Sequence, residues 1–412
     1  MWRPDPDISY LGRTTFRRDG RPFGIRQADR LQHLFVLCQT GVGKSTLLEG
    51  LALQDLAAGR GFALLDPHGD LVEKVAAAVP EREAHRVVYL NVPDPKQPFG
   101  YNPLRRVRDD KIPLAASGLL EAMRKLWPDA WGVRMEHVLR NSLYALLERQ
   151  GSTLPDVLRL FAEKDFRKDV TRRIRNPVVR AYWEDEFENY PDRYRAEVVA
   201  PIQNKLGALL SDPTLHRILV SPENDLHIRA LMDEGRVLLV NLARGRLGED
   251  SATALGGLLL STIGLAALSR ADVEPGKRRP FFVYVDEFQA FTTLAFVSLM
   301  AELRKVGVGL TLATQTTTLI EPEVRHAVIA NAGSLVCFRV GAEDAGLLER
   351  QFEPEADLQD LVRLPNHEAY LKFMIDGTPS RPFSARTLAP AARPILRCEI
   401  GGSGFRSDAN AS

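Results

Sequence analysis

HLFVLCQTGVGKSTLL occupies residues 33–48, and its reading decides the fold. The opening HLFVL is a continuous apolar run, the pattern of a strand buried on both faces. KSTLLEGLALQDLAAG then reads as a helix that closes near Gly59 or Gly61. Between strand and helix lies CQTGVG. Gly41 and Gly43 can take positive φ, which lets successive backbone N–H groups point at one anion. Strand, glycine turn and helix start stand in the order that a phosphate-binding loop demands. In such a loop Lys44 reaches the β- and γ-phosphates, the Ser45 hydroxyl ligates Mg2+, and the helix start adds favourable charge. The nucleotide-binding residues are then Thr40, Gly41, Val42, Gly43, Lys44, Ser45 and Thr46. Cys38 stands where such loops usually carry Gly. The position requires a small side chain more than it requires Gly, so Cys38 reads as a packing residue rather than a redox sensor.

Outward from this loop, strands and helices alternate. FALLD (62–66) and VVYLNV (87–92) are further buried strands, with a helix in LVEKVAAAV between them, which is the βαβ pattern of a parallel sheet. From about Arg105 to Ile228 no strand pattern appears, and the periodicity is helical throughout. Alternation resumes with RVLLVNLA (236–243), a long apolar helix, FFVYVDE (281–287), the helix FVSLMAELRKV, VGLTLAT (308–314), SLVCFRV (334–340) and EAYLKFMI (368–375). Residues 1–31 read as short strands and turns, with a hairpin-type Asp-Gly in RRDGRPFGI. The expected division is an N-terminal β segment (1–31), a first part of an α/β core (32–104), an inserted all-α domain (105–228), the second part of the core (229–390) and a flexible tail (391–412).

The net charge of +1 excludes a global basic field, so any nucleic-acid contact must be local. Cys38, Cys337 and Cys398 have no metal spacing and form no disulfide framework, which fits a reducing cytosol. The N-terminus is polar and is no signal peptide. The most apolar stretch, ALGGLLLSTIGLAAL (254–268), is short for a bilayer and flanked by charge; it reads as a buried helix, and a cytoplasmic protein with no membrane anchor is expected.

Hydrolysis needs carboxylates beside the phosphate loop. FFVYVDEFQ is a strand ending in Asp286 and Glu287. At the end of a strand neighbouring the loop, Asp286 can hold Mg2+ through a water. Glu287, on the opposite side of the chain, can polarise the attacking water. Two acids suit a hydrolase; one would suit a switch. LTLATQ ends another strand at Gln315, an amide placed to sense the γ-phosphate or orient water. Arg304, near the end of the intervening helix, either neutralises transition-state charge in a neighbouring subunit or is a solvated helix-end cation. In LLDPHGDL, Asp66 is placed to touch the Mg2+ water shell, Asp70 to cap the next helix, and His68 reads as structural.

These residues together resemble the HerA/FtsK superfamily of hexameric DNA-pumping ATPases. The closest resemblance is to TraG/TraD-type conjugative DNA-transfer coupling proteins and soluble HerA-like relatives. The resemblance rests on HLFVLCQTGVGKSTLL, GFALLDPHGDLVEKV, VLLVNLARGRLGED, YVDEFQAF, AELRKVGVGLTLATQ and NAGSLVCFRVGAEDA, and spans residues 8–390 in the family's order. It implies a RecA-like P-loop NTPase core with a central, mostly parallel sheet, an inserted all-α domain and ATP sites between the subunits of a homo-hexamer. It implies ATP and Mg2+ as cofactors, Lys44 and Ser45 on nucleotide and metal, Asp286 on the metal, Glu287 as catalytic base, Gln315 as sensor and Arg304 as a finger acting across the interface. DNA, duplex or single-stranded and read with low sequence specificity, is the implied cargo. A nuclease, relaxase or secretion channel is the implied kind of partner. Cys38 departs from the family pattern, and neither the transmembrane helices of coupling proteins nor the N-terminal barrel of archaeal HerA is visible.

Two kinds of segment bear on DNA. FRKDVTRRIR (166–175) followed by Tyr182 and Trp183 is basic and aromatic, yet the acidic EDEFE just after it makes a solvated helix face the better reading. NLARGRLGED (241–250), with Arg244 and Arg246, and QTTTLIEPEVRH (315–326) are the candidate pore loops. The expectation is an ATP-dependent DNA translocase, with a protein-moving secretion ATPase and a slow nucleotide-binding scaffold as rivals.

Overall fold

A computed structural model describes residues 5–15, 20–105, 107–220 and 224–389. The Asp19 half of the expected hairpin turn, Cys398 and the expected tail lie outside the described residues. In chain order the strands are β1 (Ile8–Thr14), β2 (Pro22–Arg26), β3 (Leu34–Leu37), β4 (Gly61–Asp66), β5 (Val87–Asn91), the two-residue β6 (Phe99–Gly100) and β7 (Asn224–Asp225), β8 (Val237–Asn241), β9 (Phe281–Val285), β10 (Val308–Thr314), β11 (Ser334–Cys337), β12 (Glu368–Lys372), the short β13 (Met374–Ile375) and β14 (Thr378–Pro379), and β15 (Phe383–Thr387).

Eleven of them make one sheet in the order β2-β1-β15-β12-β11-β3-β10-β9-β4-β8-β5. From β11 to β5 every pairing is parallel. From β11 out to β2 every pairing is antiparallel. The N-terminal hairpin β1–β2 therefore extends the main sheet. The parallel strands are near-continuous apolar runs because both of their faces are covered. Along β3, Leu34 and Val36 enter one core cluster with Leu47, Leu48 and Leu51 of the helix Lys44–Ala57. Phe35 and Leu37 enter the other, with the helices Ile112–Leu126 and Glu249–Ser269. The period-two alternation of a strand thus holds both layers at once.

Between β6 and β8 the chain is helical except for β7, which pairs with β6 at Phe99↔Asn224 and Gly100↔Asp225. That two-residue bridge is too short to leave a pattern in the sequence. The helix expected over FVSLMAELRKV is two pieces, Leu294–Ser298 and Met300–Lys305. Only Ser334–Cys337 of SLVCFRV is strand; beyond it Phe338 donates its N–H to Leu37 O at the end of β3, and Arg339 O accepts the Gln39 N–H of the phosphate loop. The apolar helix Glu249–Ser269 is longer than the 254–268 stretch, and a window over Glu249–Asp272 is long and apolar enough to cross a membrane by length and composition. Its Leu255, Leu258, Leu259 and Ile263 are instead buried in the protein core.

Candidate active site

The loop joining β3 to the helix Lys44–Ala57 takes the backbone shape that phosphate loops require: Gly41 has φ +78° and Gly43 φ +135°. No side chain caps the helix start, so its first N–H groups have no competitor for an anion. A Cβ on Gly43 would come within 3.1 Å of His367 Nδ1 and of the Phe338 ring. His367 donates its backbone N–H to Val42 O (2.8 Å), and Gln39 donates its backbone N–H to Arg339 O (2.8 Å), so the strand-end turns behind the loop fix its shape. The sequence carried no signal for His367. Cys38 is fully buried, and burial above all pushes its thiol up to about 12, with the Lys44 charge opposing. It is an inert packing residue.

Lys44 is buried and faces two carboxylates. Its Nζ lies 2.7 Å from Asp286 Oδ1 and also pairs with Glu287 Oε1. The sequence placed these acids on a strand neighbouring the loop and on opposite sides of the chain; the structure corrects both points. β10 lies between β3 and β9, and its end brings Gln315 beside the lysine–acid pair. Strand geometry ends at Val285, and Glu287 takes φ +46°, in the left-handed region. That turn breaks the alternation and swings Glu287 to the same cation as Asp286.

Glu287 is held from several sides. Gln315 Nε2 donates to Oε1 at 2.5 Å, and Gln289 Nε2 donates to Oε2 at 2.8 Å. Thr40 Oγ1 in turn donates to Gln315 Oε1 at 2.5 Å, tying the sensor position to the phosphate loop. Burial pushes the Glu287 carboxyl up, but Lys44, with the Gln289 and Gln315 hydrogen bonds, outweighs it and holds it below the usual carboxylate range. At Asp286 burial wins, against Lys44 and with Glu287 and Asp66 adding to it, and the carboxyl is raised. Lys44 loses by burial and gains more from the two acids, so its ammonium is stabilised. Gln289 was within the stretch that pointed to the acids; its spacing of two from Glu287 is the signal that was there to read.

Asp66 takes the capping role expected of Asp70. Asp66 Oδ1 accepts His68 N–H (2.8 Å), and its Oδ2 accepts the N–H groups of Leu71 (2.8 Å) and Val72 (3.1 Å). It therefore caps the helix Asp70–Ala77 across the left-handed Gly69, while Asp70 is simply the first helical residue. Ser45 is exposed at the helix start, free to meet a cation. Among the described residues no group of three or more His, Cys, Asp and Glu side chains could hold a metal alone. A divalent cation here would share its coordination with phosphate, the usual arrangement for Mg2+.

Arg304 is exposed near the end of the helix Met300–Lys305, before β10 begins. β10 is seven residues long, so at about 3.3 Å per residue roughly 20 Å separates Arg304 from its own chain's site. Tyr182 and Trp183 are buried in the helical layer, Arg173 pairs with Asp169 and Arg175 with Asp109. These rings cannot stack on bases, and much of the basic run is neutralised. Arg244 and Arg246 lie in the one-turn helix Arg244–Leu247 beyond β8, at the same sheet edge as Lys44. Among the described residues neither guanidinium has an ion-pair or hydrogen-bond partner.

No family model matches this chain, and no curated protein sequence matches it. Solved structures do. The chain is similar to the bacterial conjugative coupling protein TrwBdeltaN70, with a TM-score of 0.64 and 17% identity over 91% of this chain and 89% of that one. It is as similar to plasmid coupling protein TrwB in complex with ADP and Mg2+, with a TM-score of 0.64 and 18% identity over 91% and 88%. VirB4 of Thermoanaerobacter pseudethanolicus matches with a TM-score of 0.60 and 16% identity over 94% and 98%. The chain has the α/β P-loop NTPase fold of these proteins.

Proposed function

We propose that this chain is an ATP hydrolase that drives DNA movement as a ring of identical subunits. The observation that carries the reading is the convergence of Lys44, Asp286, Glu287 and Gln315 at the ends of three adjacent parallel strands. The glycine turn, the uncapped helix start and the exposed Ser45 fit a nucleotide triphosphate with Mg2+. Thr40 to Thr46 would hold its phosphates, Lys44 would hold the β- and γ-groups, and Ser45 with Asp286 would hold the metal. Bound Mg2+ supplies neutralisation of phosphate charge. Lys44, on turning to phosphate, releases Glu287, which keeps its hydrogen bonds to Gln289 and Gln315. Glu287 is then the base that takes a proton from water, and Gln315 orients that water.

Arg304 stands too far from its own site to serve it, and its exposed position suits a finger reaching the nucleotide of the next subunit. That arrangement asks for a closed ring, in which six copies match the implied hexamer. Arg244 and Arg246, unpartnered at the edge where the nucleotide would bind, are the residues we assign to DNA phosphates. The fold shared with conjugative coupling protein TrwB supports DNA as the cargo. A DNA-processing or secretion-channel partner, and a place in the cytoplasm, belong to the same reading.

The test is ATP turnover with and without duplex and single-stranded DNA, alongside the mass of the assembly. Turnover should rise with DNA, and Arg244→Ala/Arg246→Ala should lose the rise while keeping basal hydrolysis. Its salt slope for DNA binding should shrink by about one per lost contact. If DNA binds in neither form and leaves turnover unchanged in the assembled ring, a protein-moving ATPase takes this reading's place.

A further inference from the structure

A lysine of the helical insertion reaches the turn behind the hydrolysis site. Lys125 is near the end of the helix Ile112–Leu126. Its Nζ donates to the backbone carbonyl of Gln289 at 2.7 Å and to that of Thr292 at 2.5 Å. Among the described residues no carboxylate lies within ion-pair distance of it. A half-buried ammonium without an anion is costly, and here two carbonyl oxygens take the place of water. Those carbonyls belong to the turn that follows the acid pair, Phe288–Ala290 and its continuation to the buried Thr292. The side chain of the same Gln289 donates to Glu287 Oε2 at 2.8 Å. Gln289 Oε1 is itself buried with no hydrogen-bond partner among the described residues, an acceptor beside the base.

We infer that Lys125 is a positioning residue for hydrolysis: by gripping the Gln289 and Thr292 carbonyls it fixes the turn from which the Gln289 amide orients Glu287. The inference rests on the ATPase reading above. It gives the insertion a hold on the base through Gln289, so a shift of the helix Ile112–Leu126 should change turnover. Burial lowers the Lys125 ammonium from its ordinary value, and the Glu321 carboxylate, beyond ion-pair distance, opposes it only in part.

The experiment is steady-state ATP hydrolysis by the full chain. Lys125→Met keeps the apolar stem and removes the ammonium. It should lower kcat by about tenfold, the scale of one lost charge-assisted hydrogen bond, with KM for ATP within about twofold, since the phosphate contacts are untouched. Lys125→Arg should recover most of kcat. Gln289→Leu should fall to a similar level, and adding Lys125→Met to it should cost less than about threefold more, because both act through one turn. Lys125→Gln, too short to span both carbonyls, gives the same reading if Lys125→Met does not fold. Unchanged kcat in the Lys125 variants, or fully multiplied losses in the double variant, overturns the inference while Glu287→Gln stays inactive. A wild-type chain no more active than Glu287→Gln overturns the ATPase reading and this inference with it.

Discussion

Glu287 leaves its strand in a conformation that non-glycine residues rarely adopt. The arrangement persists because Lys44, Gln289 and Gln315 all bind its carboxylate. Glu287→Gln preserves shape and should keep ATP binding while losing roughly 10²–10⁴-fold in hydrolysis. Equilibrium binding of a labelled nucleotide beside single-turnover hydrolysis checks this, and equal turnover would remove the base assignment. His33 makes a second residue-scale case. Its Nδ1 accepts the Leu310 N–H at 3.0 Å, so Nε2 carries the proton and donates to Met300 O at 2.7 Å. Protonation would set a new N–H against the Leu310 donor. Burial above all, with Arg304 adding and the Met300 bond opposing, brings His33 down to about 4. The unfolded chain therefore binds more protons than the folded one between about pH 6.5 and about pH 4. The contribution, on the order of 3 kcal/mol, is full above that window and is lost as pH falls through it. Asn tolerates the left-handed φ of +68° at this position. Urea midpoints at pH 7.5 and pH 5 should differ more for wild type than for His33→Asn; equal differences would remove the assignment.

The helix Glu249–Ser269 shows what an element contributes. Gly256 within it lies against Phe291, and a Cβ there would come within 2.3 Å of the ring. Gly256→Ala gains about 1 kcal/mol of helix propensity but overpacks a site where about 1–3 kcal/mol is lost. The displaced ring follows the Glu287 turn, so both thermal stability and turnover should fall, as a melting curve and a rate would show. Elements of this kind were legible in the sequence. The apolar runs of β3, β4, β5, β8, β9 and β10 announced a parallel sheet, and the helix after β3 followed from its period. The β1–β2 hairpin was legible from its turn, but its joining to the sheet was not, because β1 pairs with β15 from the far end of the chain. The place of β10 between β3 and β9 was not legible either, because sequence order does not state spatial order. Within the site, residue types and spacing brought Lys44, Asp286, Glu287 and Gln315 to attention. The capping bonds of Asp66, the hold of His367 on the loop and the reach of Lys125 needed coordinates, since none has a local pattern.

At the scale of the whole molecule, Arg304 and Lys44 sit at opposite edges of one sheet. A ring in which each subunit completes its neighbour's site turns that separation into a mechanism. Arg304→Ala and Glu287→Gln subunits, each inactive alone, should regain part of the turnover when mixed, because some junctions then hold both intact groups. Full activity of Arg304→Ala alone would make Arg304 a helix-end cation only. In such a ring, hydrolysis at this site moves DNA. That movement is tested most directly by ATP-dependent displacement of streptavidin from the end of biotinylated DNA, duplex and single-stranded. The wild-type assembly should displace it from at least one form, and Glu287→Gln from neither. Vigorous ATP turnover with streptavidin left in place on both forms would contradict DNA movement.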